Sequence, residues 1–404
     1  MKNLIIGQSG GPTAVINASL YGAIREWQAS GESGCVYGMI NGIEGLLAGT
    51  CMNLSRRLSE EDLELLKLTP AAYLGSCRFK LPADQASPVY DHIFRQLEDL
   101  DAGYFLYVGG NDSMDTVDKL ARHADSIGSG IRFIGIPKTI DNDLMFTDHT
   151  PGYGSAARYV ASTVREIVLD ASVYRQKSVT IVEIMGRHAG WLTAASVLAR
   201  KESGDNPLLI CLPEIPFDTD AFCSRLEKAM EQTPNVVVCV SEGIADASGT
   251  FICEYGDSAK LDGFGHKMLT GCGKILENIV RDRLGVKVRS IELNVNQRCS
   301  GMLASETDLE EAAMAGAFGV QAVLRGETGK MAAFRREKGT GYHLSCVLED
   351  VSKICNQEKK FPGNWIHSSG CDILPEFLDY VMPLIQGQPE HQMEHGLPRY
   401  LYRK

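Results

Sequence analysis

The sequence has no apolar run long enough to cross a membrane, and no two of its cysteines stand in a C-x-x-C or zinc-like spacing. The first absence excludes a helical membrane protein. The second excludes a thioredoxin-like redox motif and a cysteine-built zinc module. All twelve cysteines occur singly, several inside apolar runs such as "VVVCV" and "LLICL", where a small core residue is the ordinary reading. Basic residues are also short: 40 Lys and Arg against 51 Asp and Glu leave a net charge of -11. Nucleic-acid binding draws on clustered cations that neutralise phosphates, so that class is excluded too. Low-complexity linkers and short repeat periods are missing as well. The first residues, "MKNLIIGQSGG", run straight into a strand and a glycine turn without a secretory leader. A reduced, cytoplasmic protein is expected.

What is present is 404 residues, 44% of them hydrophobic, enough for two domains with buried cores. Short apolar runs at 3–7, 35–40, 104–109, 131–136, 178–185, 207–212, 235–241 and 288–293 read as strands. Between them, apolar residues three or four apart predict helices over 153–173, 188–201, 218–233, 266–284 and 307–325. Apolar strands alternating with helices predict an α/β fold: two Rossmann-like lobes with mainly parallel sheets and an active site in the cleft between them. The last 60 or so residues are expected to wrap back over both lobes.

Ligands of such sheets bind beyond the C-terminal ends of the strands, so the residues after each strand carry the information. After the first strand, Gly10 and Gly11 turn toward a helix expected near Thr13, whose free N–H groups suit a phosphate. After 104–109 comes "GGNDSMDT", with Asn111 and Asp112 opening a helix. After 131–136 comes "PKTIDND", holding Lys138, Thr139, Ile140, Asp141 and Asp143. "MGRHAG" and "SEG" place Arg187 and Glu242 at two further helix starts. Singly, each has a plain structural reading: a glycine turn is punctuation, a charge can cap a helix, and Asn and Asp favour turns. Five such loops at five strand ends form the inventory for moving a phosphoryl group onto a polar, phosphorylated acceptor.

The ordered series "SGG", "GSCRF", "GGNDS", "PKTIDND", "MGR", "SEG" and "NQR" resembles the phosphofructokinase family over nearly the whole chain. The resemblance implies a two-lobed protein that phosphorylates the 1-hydroxyl of fructose 6-phosphate, with Mg²⁺ as cofactor. It implies Asp141 as general base with Thr139, Ile140 and Asp143 beside it, and Gly11 and Arg78 at the donor phosphates. Met185, Gly186 and Arg187 would line the sugar-phosphate site, Glu242 would contact the sugar, and Arg298 would bind its 6-phosphate. Arg289 resembles the arginine lent by a neighbouring subunit, which implies a homo-oligomer, dimer or tetramer. The implied lobes are residues 1–150 with about 297–360 for the donor, and 151–296 with about 361–404 for the sugar phosphate.

Members that use ATP read "GGDGS" and "PGTIDND", with glycine where this chain carries Asp112 and Lys138. A carboxylate there obstructs the α-phosphate of ATP, and a cation serves pyrophosphate, which has no adenosine to anchor it. The pair resembles the pyrophosphate-dependent branch and implies a transfer that runs in both directions. Three positions depart from the family pattern. Asn111 replaces an aspartate that helps place Mg²⁺; an amide is a weaker ligand for a hard cation, so the metal is expected to ride mainly on pyrophosphate and water. Val295 stands where the family has His or an aromatic, which leaves sedoheptulose 7-phosphate open as an acceptor. Ser178, with Lys177 before it, stands where many ATP enzymes carry a second intersubunit arginine; either Lys177 or Arg175 substitutes for it, or the contact is absent. His188 is given a packing or helix-start role, Trp191 and Trp365 a core or interface role, and "HQMEH" (391–395) a solvated one. Two readings compete: an ATP-dependent sugar or nicotinamide-nucleotide kinase, and a catalytically silent regulatory homologue. The Asp112–Lys138 pair argues against the first, and retained Asp141, Lys138 and Arg298 against the second.

Overall fold

Eleven apolar or half-apolar segments pair into two sheets in the computed structural model, which describes residues 2–255, 271–337, 339 and 341–403. The first sheet takes β1 (Asn3–Gln8), β2 (Val36–Met39), β3 (Cys51–Asn53), β4 (Ala102–Gly109) and β5 (Arg132–Pro137). The second takes β6 (Ser178–Ile184), β7 (Leu209–Cys211), β8 (Asn235–Ser241) and β9 (Lys287–Glu292). The chain then returns to the first sheet with β10 (Lys330–Arg336) and β11 (Leu344–Asp350). The orders are β11-β10-β5-β4-β1-β2-β3 and β7-β8-β6-β9. All pairings in the second sheet and the central ones of the first are parallel, while β2–β3 and β10–β11 are antiparallel. The fold is α/β with mainly parallel sheets.

The eight expected strands are all present, with ends shifted by two residues at most. β3, β10 and β11 were not expected. "KMAAFRR" and "LSCVLED" carry charge at their ends, and the half-exposed pattern of β11 is that of an edge strand, which lacks a continuous apolar signal. Among the helices, 153–173, 218–233 and 307–325 appear as Tyr153–Ser172, Thr219–Gln232 and Glu306–Leu324. The expected helix over 266–284 appears as Cys272–Leu284, and its residues 266–270 lie outside the described residues. The helix expected near Thr13 starts later, at Ile16. The helix expected over 188–201 is only Trp191–Ala195, followed by a 3₁₀ turn at Ser196–Ala199. Residues before it stay a loop because the Gly190 N–H donates to Glu214 Oε1 (2.9 Å) rather than into a helical turn.

After β11 the chain passes to the second lobe, where Phe361, Phe377, Val381 and Leu384 join the core around buried Trp191. The tail then returns: Leu401 N–H donates to Thr69 Oγ1 (2.8 Å) and the Arg403 guanidinium to the Leu74 carbonyl (2.9 Å). A buried charge network lies where the loop after β5 meets the helix Glu306–Leu324. His149, 1% exposed, sits between Asp148 Oδ1 (2.9 Å) and Glu311 Oε2 (2.7 Å). Tyr342 donates to Glu311 Oε1 (2.5 Å) and Arg336 to Asp148 Oδ1 (2.9 Å). Burial alone would lower the His149 pKa, but the hydrogen bonds with both carboxylates outweigh it and hold the imidazole at about 9. The folded value is therefore raised above the ordinary 6.5, so this stabilisation is complete below about pH 6.5 and is lost as pH rises through about 9. His149→Phe leaves Asp148 with Arg336 and Glu311 with Tyr342 but removes the buried cation between them, and is expected to cost about 3 kcal/mol at neutral pH. Thermal melts of wild type and variant should converge as pH climbs through about 9; a gap that stays constant contradicts the pairing.

Candidate active site

Residues following β1, β4 and β5 in one lobe, and β6 and β8 in the other, face a single cleft of about 680 Å³. Its lining includes Gly11, Arg78, Asn111, Asp112, Lys138, Thr139, Asp141, Asp143, Arg187 and Glu242. Thus ten residues singled out from separate stretches of sequence meet in one place.

The loop after β5 is built first by backbone and short side chains. Lys138 N–H donates to the Gly109 carbonyl (2.9 Å) and Thr139 N–H to the Pro151 carbonyl (3.2 Å), so the loop is tied to β4 and to its own return. Asn142 takes a left-handed φ of 54°, which Asn tolerates better than most residues. Its side chain is fixed at both ends: Nδ2 donates to Tyr380 Oη (2.8 Å), and Oδ1 accepts from Thr150 N–H (3.1 Å). Thr139 Oγ1 accepts from Asp141 N–H (3.1 Å) and donates to Asp141 Oδ2 (3.4 Å), which aims that carboxylate. Ile140 turns away from the cleft and packs its side chain into the second core, so only its backbone is left to face a ligand.

Lys138 is 3% exposed and donates from Nζ to the Gly11 carbonyl (2.6 Å), joining the loop after β5 to the glycine turn after β1. Arg298, on the short helix Asn296–Cys299, reaches the same turn: a Cβ on Gly11 would stand 3.3 Å from its guanidinium. On the other wall, Gly186 has φ 143°, and a Cβ there would come within 2.7 Å of the Ala189 carbonyl, so glycine is required. Its N–H donates to Glu242 Oε1 (3.3 Å), and Met185 N–H donates to Gln297 Oε1 (3.1 Å). Arg187 and Glu242 stand in loops, not at the helix starts expected of them; neither strand is followed at once by a helix.

Charge in the cleft is held away from its ordinary state. Burial lowers Lys138 to about 8 against the pull of Asp141. Burial raises Asp141, with Lys138 opposing. Burial and then the Asp141 charge push Asp143 up to about 7 and Glu242 to about 8. Such shifts, in one cleft with cations beside them, mark a site that handles protons. Three polar atoms there are buried without a hydrogen-bond partner: Asn111 Oδ1, Arg187 Nε and Arg298 Nε.

Arg289 is not brought to this cleft. It lies on β9, 3.9 Å from Asp170, in a separate depression with Glu166 and Thr180. Ser178 Oγ is engaged within the chain by Asn235 Oδ1 (2.8 Å), and Val295 is 48% exposed near Arg298. His188 packs its ring against Phe251 (centroids 6.2 Å apart), as expected, opens no helix, and also lines the cleft. Asn356, Gln357, Glu358 and Lys360 also line it and were not anticipated. The signal for them was a polar run, "CNQEKK", between buried Ile354 and Phe361, a pattern shared with any solvated loop.

A family model described as Phosphofructokinase matches residues 3–324. The chain belongs to the phosphofructokinase family. It is 40% identical over 406 residues to the pyrophosphate–fructose 6-phosphate 1-phosphotransferase of Xanthomonas campestris pv. campestris, covering 100% of this chain and 96% of that one. Among solved structures it resembles the pyrophosphate-dependent phosphofructokinase of Marinobacter aquaeolei at 36% identity and TM-score 0.88, covering 99% and 95% of the two chains. It also resembles that of Nitrosospira multiformis at 33% identity and TM-score 0.90, covering 99% and 96%. The phosphofructokinase fold therefore extends over both sheets and the returning C-terminal strands.

Proposed function

We propose that the protein moves a phosphoryl group from pyrophosphate to the 1-hydroxyl of fructose 6-phosphate, giving fructose 1,6-bisphosphate and phosphate, and runs in both directions. The observation that carries this reading is Lys138 Nζ seated on the Gly11 carbonyl, with Asp112 in the same cleft lining. A cation at that turn suits a donor held only by its phosphates, and the relatives named above support the same donor.

In this reading Asp141 accepts the proton of the 1-hydroxyl as the new bond forms, and Thr139 holds the carboxylate in line. Lys138 neutralises the transferred group, whose oxygens carry the developing charge. Glu242 takes a sugar hydroxyl, while Met185, Gly186, Arg187 and Arg298 hold the sugar phosphate, arginine offering paired donors that suit it. Gly11 and Arg78 face the donor. Asp143 stands behind Asp141 and shares its site.

Among the described residues no group of three or more His, Cys, Asp or Glu could hold a metal ion. The donors present fit a magnesium ion carried chiefly by pyrophosphate: Asn111 Oδ1, buried without a partner, would hold it with Asp112 beside it. Bound there, Mg²⁺ would neutralise donor oxygens. Residues 1–150 with about 297–360 form the donor lobe in this reading, and 151–296 with about 361–404 the sugar-phosphate lobe. Arg289, on the surface away from its own cleft, serves a neighbouring copy's sugar-phosphate site, so a cytoplasmic homo-oligomer is part of the proposal.

The deciding experiment is a coupled assay of fructose 1,6-bisphosphate formation with Mg²⁺ and either pyrophosphate or ATP. Turnover with ATP but not pyrophosphate overturns the proposal. Arg298→Lys keeps the charge and loses the planar fork, so KM for fructose 6-phosphate should rise about tenfold or more. KM for pyrophosphate should move much less. Equal rises in both would remove Arg298 from the sugar-phosphate site as placed here; its nearness to the Gly11 turn makes the donor side the alternative.

A further inference from the structure

Residues 356–360 cross the cleft between the last strand of the first sheet and the core of the second. At the near end Asn356 donates from its side chain to Asp115 Oδ1 (3.4 Å), whose other carboxylate oxygen, Oδ2, Lys119 holds (2.6 Å). The Gln357 carbonyl accepts from Asn111 Nδ2 (2.8 Å), at the start of the helix Asn111–Ser126. At the far end Lys360 Nζ donates to the His188 carbonyl (2.7 Å) and pairs with Glu358 (3.1 Å). Phe361 N–H donates to Glu214 Oε1 (2.9 Å), and its ring is buried in the second core.

The middle is tied down as well. Lys359 points opposite to its neighbours: its N–H donates to the Asp143 carbonyl (2.7 Å), and its Nζ to the carbonyls of Asp148 (2.8 Å) and Thr147 (3.1 Å). A segment pinned to both lobes and to the catalytic loop is a fixed wall, not a solvated loop. Asn356, Gln357, Glu358 and Lys360 present it to the cleft.

We propose that residues 356–360 are a length gauge for the phosphoryl donor, admitting a diphosphate and excluding a third phosphate or a nucleoside beyond it. The inference rests on the pyrophosphate reading and adds the element that limits the donor. Two physical effects act together. The Gln357 carbonyl caps Asn111 at the donor end, so a longer ligand meets backbone anchored on either side. Glu358 adds a carboxylate to a lining that already holds Asp112, and Lys360, shared between Glu358 and the His188 carbonyl, offsets that charge only in part, so a third phosphate meets net negative charge. Discrimination of this kind is an obstacle built against the wrong ligand rather than a better grip on the right one.

Tripolyphosphate tests length alone, because it is one phosphate longer than pyrophosphate and has no base or ribose. kcat/KM is measured for the magnesium salts of pyrophosphate, tripolyphosphate and ATP in wild type and in the triple variant Asn356→Gly, Gln357→Gly, Glu358→Gly, which removes the Asn356 anchor on Asp115 and the Glu358 carboxylate and lets the backbone at 357 yield. In wild type, tripolyphosphate is expected to be at least about 100-fold poorer than pyrophosphate. In the triple variant the tripolyphosphate-to-pyrophosphate ratio should rise about tenfold or more. Should the triple variant not fold, Glu358→Ala is measured instead and should raise the same ratio about threefold or more. Equal use of both polyphosphates by wild type overturns the gauge and leaves the pyrophosphate reading standing. An unchanged ratio in a folded strap variant also overturns it. Wild type that turns over ATP but not pyrophosphate overturns both.

Discussion

Asp141→Asn is expected to lower kcat by about 10²–10⁴-fold, the usual worth of a positioned general base. The substitution keeps size and hydrogen-bonding shape but removes the ability to take the proton of the acceptor hydroxyl. Thr139 would still hold the amide, since its contacts need only a donor and an acceptor. KM for fructose 6-phosphate should change little, because in the proposed mechanism the arginines, not Asp141, carry the sugar phosphate. Single-turnover rates read the chemical step directly. Near-normal turnover in the variant would remove Asp141 from the mechanism.

Lys138→Met should reduce pyrophosphate-dependent kcat by roughly 10²–10³-fold, as loss of a cation aimed at developing charge does elsewhere. Met fills much of the volume, so the fold should persist and binding of the sugar phosphate should survive. The same lysine predicts a pH signature. Burial lowers it to about 8, and the protonated form is the useful one, so wild-type kcat/KM for pyrophosphate should fall as pH rises through about 8. In Lys138→Met that alkaline limb should vanish. A limb that survives the substitution belongs to another group.

Apart from Arg78 and Arg298, the parts of the site that could be read in advance share one property: each follows a strong apolar strand. β1, β4, β5, β6 and β8 are buried along nearly their whole length, so their ends are unmistakable in sequence, and the polar residues after them fall into the cleft. What failed to show lacks that marker. The wall at 356–360 follows β11, an edge strand without an apolar run, and it gains its meaning from Asn111, some 240 residues away in the chain. Arg187 and Glu242 were correctly placed after strands but wrongly placed on helices, because Glu214 and Gly186 decide the local path through contacts that sequence spacing does not carry. Ile140 sits inside a polar motif, yet its side chain obeys its hydrophobicity and enters the core. His149 could not be distinguished from a surface histidine until Glu311, distant in sequence, was brought to its ring.

The strand order of the first sheet has a consequence for synthesis. β5 pairs with β4 on one side and with β10 on the other. The ribosome delivers β10 only after the entire second sheet, roughly 190 residues later, or about 10–40 s at ordinary elongation rates. During that interval the nascent chain displays the open side of β5, an apolar parallel strand of the kind that recruits other edges. A growing polypeptide of this order is thus a client for whatever shields exposed strands near the exit tunnel, and a fragment that stops before residue 330 should aggregate although every residue of β1 to β9 is present.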